Sequence, residues 1–382
     1  MAFRAARRIV VKVGTSTVTA ADGQPNRRRL AELAAQIAEL LAGGRAVVLV
    51  TSGAIGAGRG RLGWEGRKKR LSIPEKQAAA AVGQPLLMQV YEGLFQELGL
   101  TVAQVLLTRG DVADRQRYLN ARHTLSTLLD HGVVPIINEN DTVAVEELKF
   151  GDNDTLSALV ASLLEADLLV LLTDTEGLYT ADPRVDPAAR LIHTVERITP
   201  ELEAAAGGAG TPGATGGMVT KLQAARVATA SGIPVVIASS AAPRVLLRLL
   251  EGEELGTYFV PETGRLQARK RWIAFHLRPV GAVRVDDGAK EALLYRGKSL
   301  LPRGVVGVEG EFEHGDPVSV QALDGQEFAR GLVNYSAAEL RLIAGHKTSE
   351  IEAILGYKGY EEVIHRDNLA CFNGAGKGGA CQ

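Results

Sequence analysis

The sequence predicts an α/β fold with an open, mainly parallel sheet and helices on both faces, followed by a small, mostly-β C-terminal domain. Over the first two thirds of the chain, short runs rich in Val, Ile and Leu alternate with longer stretches of helical pattern. The short runs are continuously apolar, which is typical of strands covered on both faces by helices. After about residue 255 the runs become shorter and are separated by Gly turns, which indicates a small β-barrel or sandwich.

The alternating runs of the first part are interpreted as repeated βα units, which imply a parallel sheet with right-handed crossovers. The predicted strands are residues 8–13, 46–50, 101–107, 133–137, 168–172 and 234–238. The predicted helices between them are residues 27–42, 75–98, 114–131, 153–165 and 218–231. The helix at 75–98 is predicted to be interrupted near Gly83 and Pro85, because a proline inside a helix removes a backbone hydrogen bond.

Changes in composition set the predicted domain limits. Residues 1–260 form the α/β domain, the polar and basic stretch 261–271 is a linker, and residues 272–366 form the mostly-β domain. Residues 367–382 are predicted to be a disordered tail, because they contain a glycine-rich run at the chain end. Within the second domain the predicted strands are 282–285, 304–308, 317–322 and 328–333, and the predicted helix is 336–344.

The charge and cysteine content exclude several classes of protein. The 382 residues include 43 Lys and Arg against 44 Asp and Glu, a net charge of −1, which excludes a globally basic nucleic-acid binder. The 2 cysteines, Cys371 and Cys381, exclude a disulfide scaffold and fit a reducing cytosol. No apolar run reaches the roughly 18 residues of a membrane span, and the N-terminus lacks the apolar core of a signal peptide. We therefore expect a cytoplasmic protein.

The predicted strands end in residues suited to ligand binding. In an open parallel sheet, ligands bind beyond the carboxyl ends of the strands. Small, hydroxyl, amide and carboxylate residues converge at these ends, and they are Gly14-Thr15-Ser16, Thr51-Ser52-Gly53, Asn138-Glu139-Asn140-Asp141 and Thr173-Asp174. This convergence predicts a single ligand site at the carboxyl edge of the sheet.

Two glycine-rich segments have the pattern of anion sites. Gly53, Gly56 and Gly58 follow a strand, and Gly216-Gly217-Met218 opens a predicted helix, whose N-terminus favours negative charge. Neither segment matches a P-loop or the G-x-G-x-x-G dinucleotide motif. The alternative for each segment is a flexible loop without a ligand.

Two lysines are candidates for contacts with a transferring phosphoryl group. Lys12 lies inside an apolar strand, where burial is costly without an anionic partner, and Lys221 follows a Gly-rich loop. The alternatives are an edge-strand residue that reaches water for Lys12 and an ordinary surface lysine for Lys221. A lysine about 4 Å from developing charge supplies roughly 4 kcal/mol at an effective dielectric constant of 20, or about a thousandfold in rate.

Carboxylates and amides accompany these lysines in the sequence. Asp152, Asn153 and Asp154 open a predicted helix, and one N-cap explains only one of the three. Together with Asp141 and Asp174 they are candidates to hold the lysines, Mg²⁺ or a substrate ammonium group. Mg²⁺ is expected to reach such a site largely through nucleotide phosphates.

Six motifs, in one order along the chain, resemble those of the glutamate 5-kinases. The motifs are Val10-Val11-Lys12-Val13-Gly14-Thr15-Ser16, Thr51-Ser52-Gly53-Ala54-Ile55, Asn138-Glu139-Asn140-Asp141, Phe150-Gly151-Asp152-Asn153-Asp154, Thr173-Asp174 with Gly177-Leu178-Tyr179-Thr180-Ala181-Asp182-Pro183, and Gly216-Gly217-Met218-Val219-Thr220-Lys221. The resemblance covers nearly the whole chain. It implies an amino acid kinase fold for the first part and a PUA-like domain for residues 272–360.

The resemblance implies ATP-dependent phosphorylation of the γ-carboxylate of L-glutamate, the first step of proline biosynthesis. By position, Lys12 and Lys221 would contact the phosphoryl group and Asp154 would organise them. The implied glutamate site is Ser52, Gly53, Asp141, Asp152 and Asn153. The implied ATP site is Lys12, Gly14, Thr173, Asp174, Gly216, Gly217, Met218 and Lys221. No protein metal site is implied, since Mg²⁺ would be bound mainly through ATP.

The resemblance also implies partners and regulation. These are feedback inhibition by L-proline, a homo-oligomer (dimer or tetramer) and a downstream glutamyl phosphate reductase.

The residues fit the reaction independently of the resemblance, because a γ-carboxylate with a pKa near 4.3 is ionised at pH 7 and needs no general base. What it needs is relief of repulsion between two anions and in-line positioning.

Two other interpretations of the sequence remain open. The first is another amino acid kinase, such as an acetylglutamate kinase or an aspartokinase, although the Asn138–Asp141 and 151–154 motifs and the PUA-like part argue against it. The second is RNA binding by the C-terminal domain, where residues 264–300 hold nine Lys and Arg against three Asp and Glu. The basic run at 67–70 is interpreted as a solvated loop near the substrate entrance rather than a nucleic-acid contact.

Overall fold

The structure is a computed structural model of the chain. It describes residues 3–20, 23–64, 71–144, 153–207, 217–261, 273, 277, 279–357 and 359–372. The chain divides into two compact units, Met1–Glu262 and Thr263–Gln382. In the described residues, no helix is both long and apolar enough to cross a membrane.

The first unit is built on a sheet of eight strands within the described part of the chain. The strands are β1 (Arg8–Val13), β2 (Ala46–Val50), β3 (Val102–Leu107), β4 (Val134–Glu139), β5 (Leu168–Thr173), β6 (Thr194–Val195), β7 (Val235–Ser239) and β8 (Thr257–Phe259). Their order is β3-β4-β2-β1-β5-β7-β8-β6. Every neighbouring pair is parallel except β7 and β8. The central strand β1 therefore lies between β2 and β5.

Helices cover both faces of this sheet. The helices are α1 (Thr15–Val18), α2 (Arg27–Ala42), α3 (Ala54–Arg61), α4 (Ile73–Gln96), α5 (Arg109–Ala113), α6 (Arg115–Asp130), α7 (Asn153–Leu163), α8 (Pro200–Gly207), α9 (Met218–Ala230) and α10 (Val245–Glu251). One buried cluster packs α2, α4 and α10 around Val11 of β1. The other packs α6, α7 and α9 around Val10. The predicted α/β fold class is confirmed, and alternation along β1 places Lys12 on the face of Val10.

The predicted interruption of the helix near Gly83 and Pro85 is wrong. Helix α4 runs continuously from Ile73 to Gln96 with Pro85 inside it. Gly83 lies against the backbone of α3, where an added Cβ would be 1.8 Å from the carbonyl oxygen of Ala54. Packing against α3 holds the helix together across the proline, so Gly83 is a site of close backbone approach and not a break.

This contact predicts opposite effects for two glycines of one helix. Gly83→Ala should lower the free energy of unfolding by about 3 kcal/mol or more, because the new methyl group overlaps the backbone of α3. Gly93→Ala is the matched control: its added Cβ meets nothing within 4 Å, and alanine should stabilise the helix by up to about 1 kcal/mol. Urea unfolding of both variants checks the pair. Equal effects would contradict the packing account.

The second unit is built on a five-stranded sheet in the order β10-β9-β11-β12-β13. Its strands are β9 (Gly281–Val285), β10 (Val305–Gly310), β11 (Pro317–Gln321), β12 (Glu327–Leu332) and β13 (Leu369–Cys371). Its helices are α11 (Asp287–Tyr295), α12 (Ala337–Ile343) and α13 (Ile351–Leu355). A separate hydrophobic core fills this unit. The predicted mostly-β domain is therefore present.

The chain end differs from its prediction. Strand β13 pairs with β12 in an antiparallel ladder, so part of the predicted disordered tail is ordered. The Cys371 thiol contacts the carbonyl oxygen of Leu293. The sequence does not predict strand β13, because its three residues are too few to show a strand pattern. Residues 373–382, the basic run at 67–70 and most of the predicted linker lie outside the described residues, and the predicted domain limits stay a prediction.

Candidate active site

The candidate site lies at the carboxyl edge of the first sheet. Lys12 is in β1, Ser52 follows β2, Asn138 is in β4 and Thr173 ends β5. Because these strands are parallel, their carboxyl ends share one edge. Helices α7 and α9 begin with the other polar groups of the site.

The centre of the site is a buried carboxylate between two lysines. Asp154 Oδ1 lies 2.5 Å from Lys12 Nζ, and Asp154 Oδ2 lies 3.2 Å from Lys221 Nζ. Thr220 Oγ1 donates a hydrogen bond of 2.9 Å to the same Oδ2. Asp154 is fully buried, and Lys12 and Lys221 are only 4% and 5% exposed. The alternatives of an edge-strand residue for Lys12 and a surface lysine for Lys221 are therefore wrong.

The electrostatics of this cluster favour a bound anion. Burial alone would raise the pKa of Asp154, but the ammonium groups of Lys12 and Lys221, with hydrogen bonds to Asp154, hold that pKa below its ordinary value. The carboxylate is therefore ionised at neutral pH. The three side chains together carry one positive charge in a buried place, where interactions with an anion are stronger than in water.

A chain of amide groups lies beside the lysine cluster. Asn153 Nδ2 donates to Ser52 Oγ at 2.9 Å and to Asn138 Oδ1 at 3.1 Å. Asn138 Nδ2 donates to Gln84 Oε1 at 2.8 Å. The sequence predicted Ser52 and Asn153 as glutamate-site residues and placed Asn138 among the polar residues at the end of its strand, but it did not point to Gln84. A polar residue near the end of the apolar strand β4 was the available signal for Asn138, whereas nothing in α4 distinguished Gln84.

The remaining predicted glutamate-site residues are placed as follows. Gly53 is the N-cap of α3 with a φ of 99°, in the left-handed region that glycine adopts without strain. Asp141 is half-buried after β4, and burial raises its pKa to about 6. Asp152 lies outside the described residues.

The described residues of the predicted ATP site lie at the same edge. Gly14 is the N-cap of α1, and a Cβ built on it would be 3.9 Å from Lys12 Nζ. Thr173 is buried and donates from Oγ1 to Oδ1 of the exposed Asp174 at 3.0 Å. Gly217 is the N-cap of α9, which starts at the half-buried Met218. Gly216 lies outside the described residues.

The donor set does not form a metal cage. In the described part of the chain, no three His, Cys, Asp or Glu side chains lie close enough together to hold a metal ion. In nucleotide sites, Mg²⁺ is usually bound by substrate phosphates and waters together with one or two carboxylates.

Comparison with known proteins adds independent information. Residues 7–239 match the model of the amino acid kinase family, and residues 281–355 match the model of the PUA domain. The chain is 57% identical over 369 residues to the glutamate 5-kinase of Moorella thermoacetica, covering 97% of each chain. It is 55% identical over 363 residues to the glutamate 5-kinase of Geobacter sulfurreducens, covering 95% of this chain and 97% of the relative.

Proposed function

The chain belongs to the amino acid kinase family and, within it, to the glutamate 5-kinases, and from this membership we propose that it phosphorylates L-glutamate with ATP. The products are ADP and L-glutamyl 5-phosphate, and the step is the first of proline biosynthesis. The observation that carries the proposal is the buried carboxylate of Asp154 between Lys12 and Lys221. Such a cluster fits a reaction between two anions.

The proposed chemistry is a direct phosphoryl transfer. A γ-carboxylate oxygen of glutamate attacks the γ-phosphorus of ATP, and the bond from that phosphorus to the bridging oxygen breaks, leaving its electron pair on ADP. The carboxylate is already ionised, so no residue has to remove a proton. Lys12 and Lys221 offset the repulsion between the reactants and stabilise charge on the transferring group. Asp154 holds both ammonium groups in place, and Thr220 fixes Asp154 Oδ2.

The resemblance to the glutamate 5-kinases supports the proposed ligand contacts. Glutamate is bound by Ser52, Gly53, Asp141, Asp152 and Asn153. ATP is bound by Lys12 and Lys221 together with Gly14, Thr173, Asp174, Gly216, Gly217 and Met218. The N-terminus of the 13-residue helix α9 adds partial positive charge beside Lys221. Mg²⁺, bound through the ATP phosphates, would neutralise phosphate charge.

The raised pKa of Asp141 predicts a pH dependence of glutamate binding. Burial raises this pKa to about 6, so the group loses its negative charge as the pH falls through that value. If Asp141 faces the substrate ammonium, kcat/KM for glutamate should fall by up to about tenfold per pH unit below pH 6, while KM for ATP stays flat. Steady-state rates between pH 5 and pH 8 check this.

Asp141→Asn separates this effect from other titrations. The variant should bind glutamate weakly at pH 7 and lack the fall below pH 6. Since burial disfavours the ionised form in the folded chain, Asn should also raise the free energy of unfolding at pH 7 more than at about pH 4. A pH profile that the substitution leaves unchanged would remove Asp141 from the binding site.

The function is tested by trapping the product. Hydroxylamine attacks the acyl carbon of an acyl phosphate and gives a stable hydroxamate, so ATP-dependent hydroxamate formation reports the reaction. Glutamate, N-acetylglutamate and aspartate are assayed separately. We expect activity with glutamate, whereas activity only with one of the other two would identify another amino acid kinase.

The remaining proposals concern the regulation, assembly and cellular location of the enzyme. We infer L-proline as feedback inhibitor, a dimer or tetramer as the assembly, a cytoplasmic location, and a glutamyl phosphate reductase as the consumer of the product. The resemblance to glutamate 5-kinases supports each of them. The PUA-like domain is proposed to be mainly structural or regulatory rather than an RNA-binding module, and tight RNA binding at physiological salt would overturn this.

A further inference from the structure

A directed series of hydrogen bonds fixes the side chain of Asn153. Asn153 Nδ2 donates to Asn138 Oδ1, Asn138 Nδ2 donates to Gln84 Oε1, and Gln84 Nε2 donates to Gln104 Oε1 at 3.3 Å. Gln84 is 8% exposed and Asn138 is 2% exposed, whereas Gln104 is exposed at the outer end. Water therefore competes little for the hydrogen bonds between Asn153, Asn138 and Gln84.

The direction of this series is set by the backbone. The N–H of Glu139 donates to Asn138 Oδ1 at 2.9 Å. A backbone N–H can only donate, so the oxygen of the Asn138 amide must face it and the nitrogen must face Gln84. Turning the Asn138 amide over would place two donors against each other. The arrangement thus does not depend on a free choice of amide orientation.

The orientation of Asn138 in turn determines that of Asn153. Asn138 Oδ1 is an acceptor, so Asn153 must present its nitrogen, which also donates to Ser52 Oγ. Asn153 Oδ1 is then left buried, and it has no hydrogen-bond partner within the residues that the structure describes. A buried acceptor without a donor costs free energy unless a ligand supplies the donor.

We propose that Asn138 and Gln84 are positioning residues for substrate selection: they hold Asn153 so that its Oδ1 accepts a hydrogen bond from the α-ammonium group of glutamate. The proposal rests on the proposed function, and it explains how a free amino group is recognised. An acylated amine is neutral, has a single N–H and carries a bulky acyl group, so it would form a weaker hydrogen bond with Asn153 Oδ1. Neither Asn138 nor Gln84 touches the substrate in this arrangement; both act through Asn153.

The test compares glutamate with glutarate, which has both carboxylates but no ammonium group. Gln84→Met keeps the side-chain length but leaves the buried Asn138 Nδ2 without its acceptor. A buried unpaired donor is costly, so the Asn138 side chain shifts and no longer holds Asn153 in place. We expect KM for glutamate to rise about tenfold, the size expected for a lost hydrogen bond to a charged group. The inhibition constant of glutarate, kcat and KM for ATP should change less than about twofold.

Three further variants complete the experiment. Gln89→Met makes the same substitution at an exposed position of α4 and should leave all constants unchanged. Gln84→Glu keeps an acceptor facing Asn138 and should retain most of the preference for glutamate over glutarate. Asn138→Ser removes the amide itself, so it carries the same test if Gln84→Met does not fold.

The outcomes separate this proposal from the proposed function. A wild-type chain that phosphorylates no glutamate contradicts the proposed function. A wild-type chain that is active, with Gln84→Met and Asn138→Ser variants that keep their preference for glutamate over glutarate, overturns only the positioning role. An equal loss for glutamate and glutarate would show that Gln84 supports the fold of the site and does not select the ammonium group.

Discussion

Replacing either Lys12 or Lys221 with alanine should lower kcat for glutamate phosphorylation by about a hundredfold or more. Each ammonium group lies within 3.2 Å of Asp154 and is almost fully buried. The expected loss follows from developing negative charge on the transferring phosphoryl group, which a nearby buried ammonium group stabilises more in the transition state than in the ground state. KM for glutamate should change much less than kcat.

The loss in the lysine variants has to be separated from unfolding. Lys12→Ala leaves Asp154 with Lys221 and Thr220, and Lys221→Ala leaves it with Lys12 and Thr220, so the carboxylate keeps partners in each single variant. Arg226→Ala is the matched control, because Arg226 is an exposed cation of the same helix α9, paired with Glu203. The control should keep wild-type kcat in the hydroxamate assay. Wild-type rates for Lys12→Ala or Lys221→Ala would move the active site elsewhere.

Asp154→Ala should have the second large effect, because it removes activity and stability together. Two buried ammonium groups would then face each other without their shared carboxylate. Breaking a buried ion pair by removing one partner costs about 3–5 kcal/mol. We expect the free energy of unfolding to fall by about that amount and kcat to fall by about a hundredfold or more, because the lysines lose their positions.

The pH dependence of stability provides a second readout for Asp154. Lys12 and Lys221 overcome the effect of burial and lower the pKa of this carboxyl group in the folded chain. A group of this kind contributes stability above its unfolded pKa, near 4, and the contribution is lost as the pH falls through the folded pKa. Asp154→Asn should therefore lose more stability at pH 7 than in strong acid. Glu97→Gln, at an exposed carboxylate paired with the exposed Arg27, should show no measurable change.

The sheet and the lysine cluster could be predicted from the sequence for a common physical reason. Continuous apolar runs identify strands buried on both faces, and a lysine inside such a run requires a buried counter-charge. Lys12, Asp154 and Lys221 are far apart in sequence, but the parallel sheet brings β1, α7 and α9 to one edge. The contact of these three residues could therefore be predicted from the topology and from the motifs that resemble a known family.

Features that depend on packing between elements could not be predicted in this way. Pro85 suggested a break in α4, whereas the close contact of Gly83 with α3 keeps the helix continuous. Strands β6, β8 and β13 are too short to show a pattern and exist through pairing with their neighbours. Gln84 joins the site only because α4 brings its amide within 2.8 Å of Asn138.

The central claim is that a γ-carboxylate oxygen of glutamate forms the bond to the transferred phosphorus, and oxygen transfer tests it. Glutamate labelled with ¹⁸O in both γ-carboxylate oxygens is incubated with ATP and the enzyme in the presence of hydroxylamine. Attack of hydroxylamine at the acyl carbon expels phosphate together with the bridging oxygen that came from the carboxylate. We predict inorganic phosphate carrying one ¹⁸O atom per turnover, and unlabelled phosphate released at the same rate would contradict the account.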